Sequence, residues 1–390
     1  MTDERPSLPF STAEFAARVA AARSAMARND LDLLLLVSPA NTYYLTGFGT
    51  GSAASANFLV LPAEAEPFWV MRRTETSNIR LGPLDLVPTD AVTVADSQDV
   101  IAVLSRAILD RGVPTRRIAV EMEALPFTVG HYTRLSAAFA NARFVDATGL
   151  VEGLRRIKSP AELDLMRKAG AITAKAITAA FDALRDGVTD SEVAAVAIDA
   201  AVRAGSERMA SQPYVVSGPG SARAHSSWSQ RVVKRGDIVN VELASCVARY
   251  HVPTFRVLAL GQPSQDAIRM HEASVTGLEA GLSGIKPGMT SHEADKIVRD
   301  AIERAGFGEE FVVRAAYGIG IAFSATWGEA GVASLRPNDE LIVEEGMCFH
   351  LVPALYRDGV GCICCSMPIE ITAVGALPLT PIKPALMVVS

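Results

Sequence analysis

The chain has 390 residues, 49% of them hydrophobic, and a formal net charge of −6. That length exceeds one average domain, so two domains are expected, each with enough apolar residues for a core. A mildly acidic chain without a basic block argues against nucleic acid and anionic membrane surfaces as partners, and no apolar run approaches the roughly 20 residues of a membrane span.

Residues 1–9 are polar and lack a signal-peptide core. The cysteines are odd in number and late in the chain: Cys246, Cys348, Cys362, Cys364 and Cys365. Together these features read as reduced thiols of a cytoplasmic protein. Cys362, Cys364 and Cys365 lack a second ligand pair at zinc spacing, so a buried apolar strand is the better reading than a metal clip.

In chain order, Ser11-Thr12-Ala13-Glu14 is a capping-box pattern that predicts a helix to about Arg28. The apolar run 33–37 predicts a buried strand ended by Ser38-Pro39, and 41–51 reads as a Gly- and Tyr-rich loop. Residues 57–61 and 67–71 predict a hairpin pair of strands. Arg72 and Arg73 follow as either a solvated strand end or an anion clamp. A helix over 100–111 and a strand over 117–121 complete an alternating α/β pattern, so 1–155 is expected to be an α/β domain.

The boundary falls near Ser159-Pro160, an N-cap followed by a first-turn proline. Helices are predicted over 161–185, 190–204, 264–280 and 291–305, with further strands at 310–314, 347–355 and 369–372. Residues 156–390 therefore read as an α+β domain with a mostly antiparallel sheet.

Within it, Gly236-Asp237 is a turn signal, and Ile238, Val239 and Val241 begin a strand. A second strand follows at 257–260. Between them stand Glu242, Arg249, His251 and Arg256. A carboxyl in an apolar strand is costly unless it is paired or used in chemistry. Glu242 is therefore either a partner of Arg249 or Arg256, or a functional group.

An ordered set of markers carries a resemblance over essentially the whole chain: Arg156-Ile157-Lys158-Ser159-Pro160-Ala161-Glu162-Leu163, Lys286-Pro287-Gly288-Met289, Tyr317-Gly318-Ile319-Gly320 and Glu345-Gly346-Met347. The set resembles the creatinase/prolidase superfamily. The resemblance implies a pita-bread fold for 156–390, a smaller α/β domain before it, and a homodimer. Its metallopeptidases hold two divalent metals with two Asp, one His and two Glu. Those positions fall here on Glu242, Pro253, Tyr317, Val352 and, on or beside it, Ser366. The expectation is therefore no metal and no other cofactor.

Creatinase, a metal-free member, carries a catalytic histidine in an Ala-His-Asn-Pro motif, where this chain has Ala224-His225-Ser226-Ser227. Creatinase's further histidine falls near Ser324 and its glutamate on Val352, so creatine is a poor substrate expectation. The Tyr317 marker, Trp327-Gly328-Glu329, Ser334-Leu335-Arg336-Pro337 and Met347-Cys348-Phe349-His350 are similar to the corresponding runs of ectoine hydrolases, and Arg249-Tyr250-His251 with Arg256 looks like their second-strand pattern. Those enzymes open the cyclic amidine of ectoine to an N-acetylated diaminobutyrate.

The resemblance implies a small-molecule substrate and a metal-independent hydrolase of C–N bonds. Glu242 would be base or nucleophile, and His225 the acid that protonates the departing nitrogen. Arg256, Arg249 or the Arg72-Arg73 pair would hold a substrate carboxylate. His251 belongs to the same second-strand pattern. Tyr317 and Trp327 offer aromatic faces to a cation, or simply fill the core. Glu329 and His350 are second candidates for proton transfer. A hydrolase of another guanidino or amide compound, or a non-catalytic binding relative, fits the same residues less closely.

Overall fold

The computed structural model describes residues 9–51, 55–81 and 90–390. Two compact units divide the chain, Met1–Arg155 and Arg156–Ser390.

The first unit opens with α1 (Thr12–Arg28), whose Ser11 hydroxyl accepts the Glu14 N–H. Then come β1 (Leu33–Leu36), α2 (Pro39–Thr46), β2 (Phe58–Pro62), β3 (Phe68–Arg72), α3 (Thr76–Leu81), β4 (Ala91–Val94), α4 (Val100–Asp110), β5 (Arg117–Val120), α5 (Val129–Ala138), β6 (Arg143–Asp146) and α6 (Leu150–Arg155). The helix α2 occupies part of a stretch expected to be loop. Pro39 suits its first turn, and Gly47, at φ 71, closes it in the left-handed region.

The strands form one six-stranded sheet in the order β4-β3-β2-β1-β5-β6. The expected hairpin is present, with Phe58 opposite Val70. β1 lies between antiparallel β2 and parallel β5, so all four of its leucines are buried. That central position is what a continuous apolar run specifies.

The second unit begins with α7 (Pro160–Asp182) and α8 (Asp190–Arg203), each opened by a capping box, Ser159 with Glu162 and Thr189 with Glu192. The strands β7 (Tyr214–Ser217), β8 (Ile238–Val247) and β9 (Tyr250–Leu260) follow, then α9 (Gln265–Gly284) and α10 (Ser291–Arg304). The chain ends with β10 (Ala316–Gly318), β11 (Ser334–Leu335), β12 (Cys348–Leu351), β13 (Leu355–Arg357), β14 (Gly361–Ile363), β15 (Met367–Thr372), β16 (Gly375–Pro378) and β17 (Met387–Val389).

The first sheet runs β17-β9-β8-β7 and the second β11-β10-β12-β15-β16, and β13 and β14 pair as a separate two-stranded sheet. Apolar faces of α7 and α8, including Ile177, Ala180 and Val193, share a core with Val241 and Leu258 of the first sheet. Leu278 of α9 and Val298 of α10 share a core with Leu351 and Ile369 of the second. Close approach of α7 requires Gly170, where a Cβ would lie 2.0 Å from the Leu379 carbonyl oxygen.

Two expected strands differ. Residues 310–314 form none; the Arg299 guanidinium binds the Phe311 and Val313 carbonyls instead. The expected strand 347–355 breaks after Leu351 and resumes as β13. All five cysteines are buried and free.

Candidate active site

All three sheets of the second unit contribute to one cavity of about 410 Å3, within the size range of small-molecule sites. Glu242 enters it from β8. Its cross-strand neighbours are Tyr214 on β7 and Phe255 on β9, and both line the cavity. The Glu242 side chain is only 18% exposed, and among the described residues no group donates a hydrogen bond to its carboxylate. Burial pushes its pKa up to about 7. The expected alternative, pairing with Arg249 or Arg256, is not what the structure holds.

Tyr317 on β10, Trp327 and His225 complete the aromatic and imidazole wall. Trp327 Nε1–H donates to Tyr317 Oη at 2.9 Å, and a Cβ on Gly328 would come within 2.9 Å of the Tyr317 ring. His225 sits in an exposed loop at φ 52, its ring edge-on to Tyr214 at 5.8 Å. His350, opposite Tyr317 on β12, is fully buried behind the wall. Its Nδ1 is 2.8 Å from Tyr317 Oη, and its Nε2 is 2.6 Å from Ser366 Oγ. Burial, reinforced by the charge of Arg256, holds the imidazole down to about 3.

Residues 164–373 match the profile of Metallopeptidase family M24, and residues 18–157 that of the Creatinase/Prolidase N-terminal domain. The chain belongs to metallopeptidase family M24. It is 30% identical to an ectoine hydrolase of Halomonas elongata, over 91% of this chain and 92% of that protein. It is 29% identical to a Xaa-Pro dipeptidase of Lactobacillus delbrueckii subsp. lactis, over 85% and 88%. The crystal structure of dipeptidase PepE from Mycobacterium ulcerans superimposes with a TM-score of 0.83 at 28% identity, over 97% of this chain and 99% of that one. Hydrolase is the description these M24 relatives share.

The family implies a metal pair, and the residues do not fit one. Glu242, Tyr317 and Val352 line the cavity, Ser366 lies behind it, and Pro253 stands on β9 opposite Ala244. One carboxylate, a phenol, a hydroxyl and two side chains without donors cannot compose an oxygen- and nitrogen-rich dinuclear site. Among the described residues no group of three His, Cys, Asp or Glu side chains is placed to hold a metal.

Several expected substrate ligands lie elsewhere in this M24 fold. Arg256, proposed for a substrate carboxylate, is fully buried, and its guanidinium donates to the carbonyls of Phe255, Ser366, Ile382 and Lys383. Arg249 takes a left-handed φ of 64 in the β8–β9 turn, donates to the Arg208 and Ala322 carbonyls and packs over Phe323. His251 is also fully buried: its Nδ1 meets the Arg249 carbonyl and its Nε2 accepts the Ala210 N–H, which fixes a neutral tautomer. Glu329, a second proton-transfer candidate, is buried against Lys158 Nζ at 2.9 Å. None of these four lines the cavity. Arg72 and Arg73 belong to the N-terminal unit; both are exposed, and Arg72 pairs with Asp96 at 2.7 Å.

Arg314 is the cavity residue the sequence reading missed. Its guanidinium carbon lies 5.5 Å from the Tyr317 ring centroid, and among the described residues it has no anionic partner. The available signal was a lone arginine in the apolar run Phe311-Val312-Val313-Arg314-Ala315-Ala316. Arg336 also reaches the rim but spends its Nε on Asp339.

Proposed function

We propose that this M24 chain is a metal-independent hydrolase that opens a small cyclic amidine bearing a carboxylate, in the manner of an ectoine hydrolase. The observation that carries the reading is Glu242, a largely buried carboxylate in a small cavity with no donor bonded to it among the described residues. An uncompensated carboxylate there is costly, and an amidinium is a cation with N–H groups shaped to meet it. Arg314, on the same cavity wall, supplies the complementary charge for a substrate carboxylate. Trp327 and Tyr214, packed on each other at 5.1 Å, and Phe255 line the cavity with aromatic surface against which a cationic ring can lie.

The steps follow from these groups. Water adds through oxygen to the amidinium carbon while Glu242 accepts one of its protons. Alternatively the Glu242 oxygen bonds that carbon first, and water then cleaves the resulting ester. In either course the bond from the carbon to one ring nitrogen breaks, that nitrogen takes a proton from His225, and the carbon remains as the amide of the other nitrogen.

The test is incubation of chelator-treated, dialysed protein with ectoine, hydroxyectoine, creatine and Xaa-Pro dipeptides, with product analysis. Ring opening of the amidines is expected, without response to added Mn, Co or Zn. Cleavage of Xaa-Pro dipeptides that requires a stoichiometric metal pair would overturn the reading.

A further inference from the structure

Behind Tyr317 a chain of hydrogen bonds runs away from the cavity. Tyr317 Oη accepts from Trp327 Nε1–H and meets His350 Nδ1; His350 Nε2 meets Ser366 Oγ, and Ser366 Oγ accepts the backbone N–H of Phe255 at 2.8 Å. His350 and Ser366 are both fully buried. Two of these groups can only donate: the Phe255 N–H and the indole N–H. They fix the ends of the chain, and the hydrogens between them have two arrangements.

In the first, the imidazole carries its hydrogen on Nε2 and donates it to Ser366 Oγ. Ser366 then accepts twice, and its own hydrogen has no acceptor among the described residues. A buried hydroxyl hydrogen without an acceptor is the costly case. In the second, Ser366 donates to Nε2, and the imidazole carries its hydrogen on Nδ1 and donates to Tyr317 Oη. Tyr317 Oη then receives two N–H donors, and its own hydrogen is left pointing into the cavity. Ser366 and His350 are then both satisfied, and the one hydrogen left over belongs to Tyr317, at the cavity rather than in the closed interior. A doubly protonated ring is opposed by the same burial that depresses its basicity.

We propose that Ser366 and His350 are positioning residues that hold Tyr317 as a hydrogen-bond donor into the cavity, aimed at the substrate atom that gains a lone pair as the amidine carbon becomes tetrahedral. The identity of that acceptor rests on the amidine reading; the polarity of the chain does not. An amidinium nitrogen has its lone pair delocalised and offers only N–H groups, so the phenol has no partner there in the ground state. Addition to the carbon localises a lone pair on nitrogen and creates the acceptor. The bond therefore strengthens on the way to the transition state, which is what lowers a barrier rather than only tightening binding. Two N–H donors into Oη polarise its O–H further.

The experiment has a spectroscopic arm and a kinetic arm. In the wild-type protein labelled with 15N-histidine, long-range 15N–1H correlations report which ring nitrogen carries the hydrogen, and His350→Gln assigns the signal. The Nδ1–H tautomer is expected; the Nε2–H tautomer would overturn the proposal. In turnover of the amidine, Tyr317→Phe is expected to lower kcat by about 10²-fold with KM little changed. Ser366→Ala should lower kcat less, Ser366→Thr should restore it, and the Tyr317→Phe/Ser366→Ala pair should be no slower than Tyr317→Phe alone, because both act through one O–H. Additive losses, or a Tyr317→Phe protein with wild-type kcat, would also overturn it. An Nδ1–H signal in a protein that opens no amidine would support the polarity while removing the amidine reading.

Discussion

His350 Nδ1 stands 4.0 Å from Glu242 Oε1, beyond hydrogen-bond reach. Burial drives the two groups in opposite directions, the carboxyl up to about 7 and the imidazole down to about 3. Between those values both are neutral. Above the upper one the carboxylate is ionised and His350 offers it no charge, which leaves Glu242 open to a cationic ligand.

That arrangement sets the pH dependence. A base, nucleophile or cation partner must be ionised, so kcat/KM for a permanently cationic substrate should fall about tenfold per pH unit below the Glu242 value, near 7. A pH–rate profile reads this directly. A profile that stays flat well below neutrality would place the essential group elsewhere.

The same residue should leave a mark on stability. The Glu242 pKa is raised in the folded state, from 4.5 to about 7, so the folded protein binds more protons than the unfolded chain in that window. Its stability contribution is therefore present at acid pH and is lost as pH rises from 4.5 through about 7. Glu242→Gln removes this term, at most about 3 kcal/mol. The variant should fold, turn over substrate at least ~10³-fold more slowly, and gain Tm relative to wild type as pH rises through that window. Thermal melts across the range check the sign, and a variant that loses ground with rising pH contradicts it.

His225 lies in an exposed loop beside Tyr214, where a substitution has little packing to disturb. His225→Ala should keep the melting curve and KM and lower kcat by ~10²–10⁴-fold if the imidazole is the acid. An amine leaving group of lower basicity should be affected least. Equal losses for good and poor leaving groups would assign His225 another task.

Arg314 is expected to act on affinity. Arg314→Met keeps much of the packing over Tyr317 and removes the charge. It should raise KM for a carboxylate-bearing substrate by ~10–100-fold, equivalent to about 1.5–3 kcal/mol for a charged hydrogen bond. An uncharged amide of the same substrate should bind both proteins alike. Arg256→Met makes the contrast, since it strands four carbonyls that the guanidinium now satisfies and should lower Tm markedly while folded molecules keep their KM.

Much of the architecture was legible because its signals are local. Ser159 and Thr189 cap their helices, and a run such as Leu33–Leu36 specifies a strand buried on both faces. Within the site, Glu242 could be singled out because a carboxyl in an apolar strand is anomalous wherever it points. The direction of a side chain is a different matter. Arg256 and Glu242 sit in paired strands with similar sequence surroundings, yet one feeds backbone carbonyls and the other faces a cavity. That difference depends on Ser366, Ile382 and Lys383, more than a hundred residues away in sequence. Arg314 escaped notice for the converse reason: its segment looks like an apolar strand, and its place at the cavity beside the Tyr317 ring is visible only in the fold.

The positions Pro253, Tyr317, Val352 and Ser366 also bear on the history such a site permits. Restoring a metal pair would take acidic or imidazole groups at all of them. A new carboxylate at Tyr317 or Val352, introduced singly, would share the cavity with Glu242, and like charges at such range oppose ionisation of both. Such a step would carry a cost before any metal could bind. Decay of the ligand set is open one residue at a time, whereas return needs several changes at once. The cavity is in that sense a ratchet, and descendants of this chain are freer to change substrate than to regain a metal.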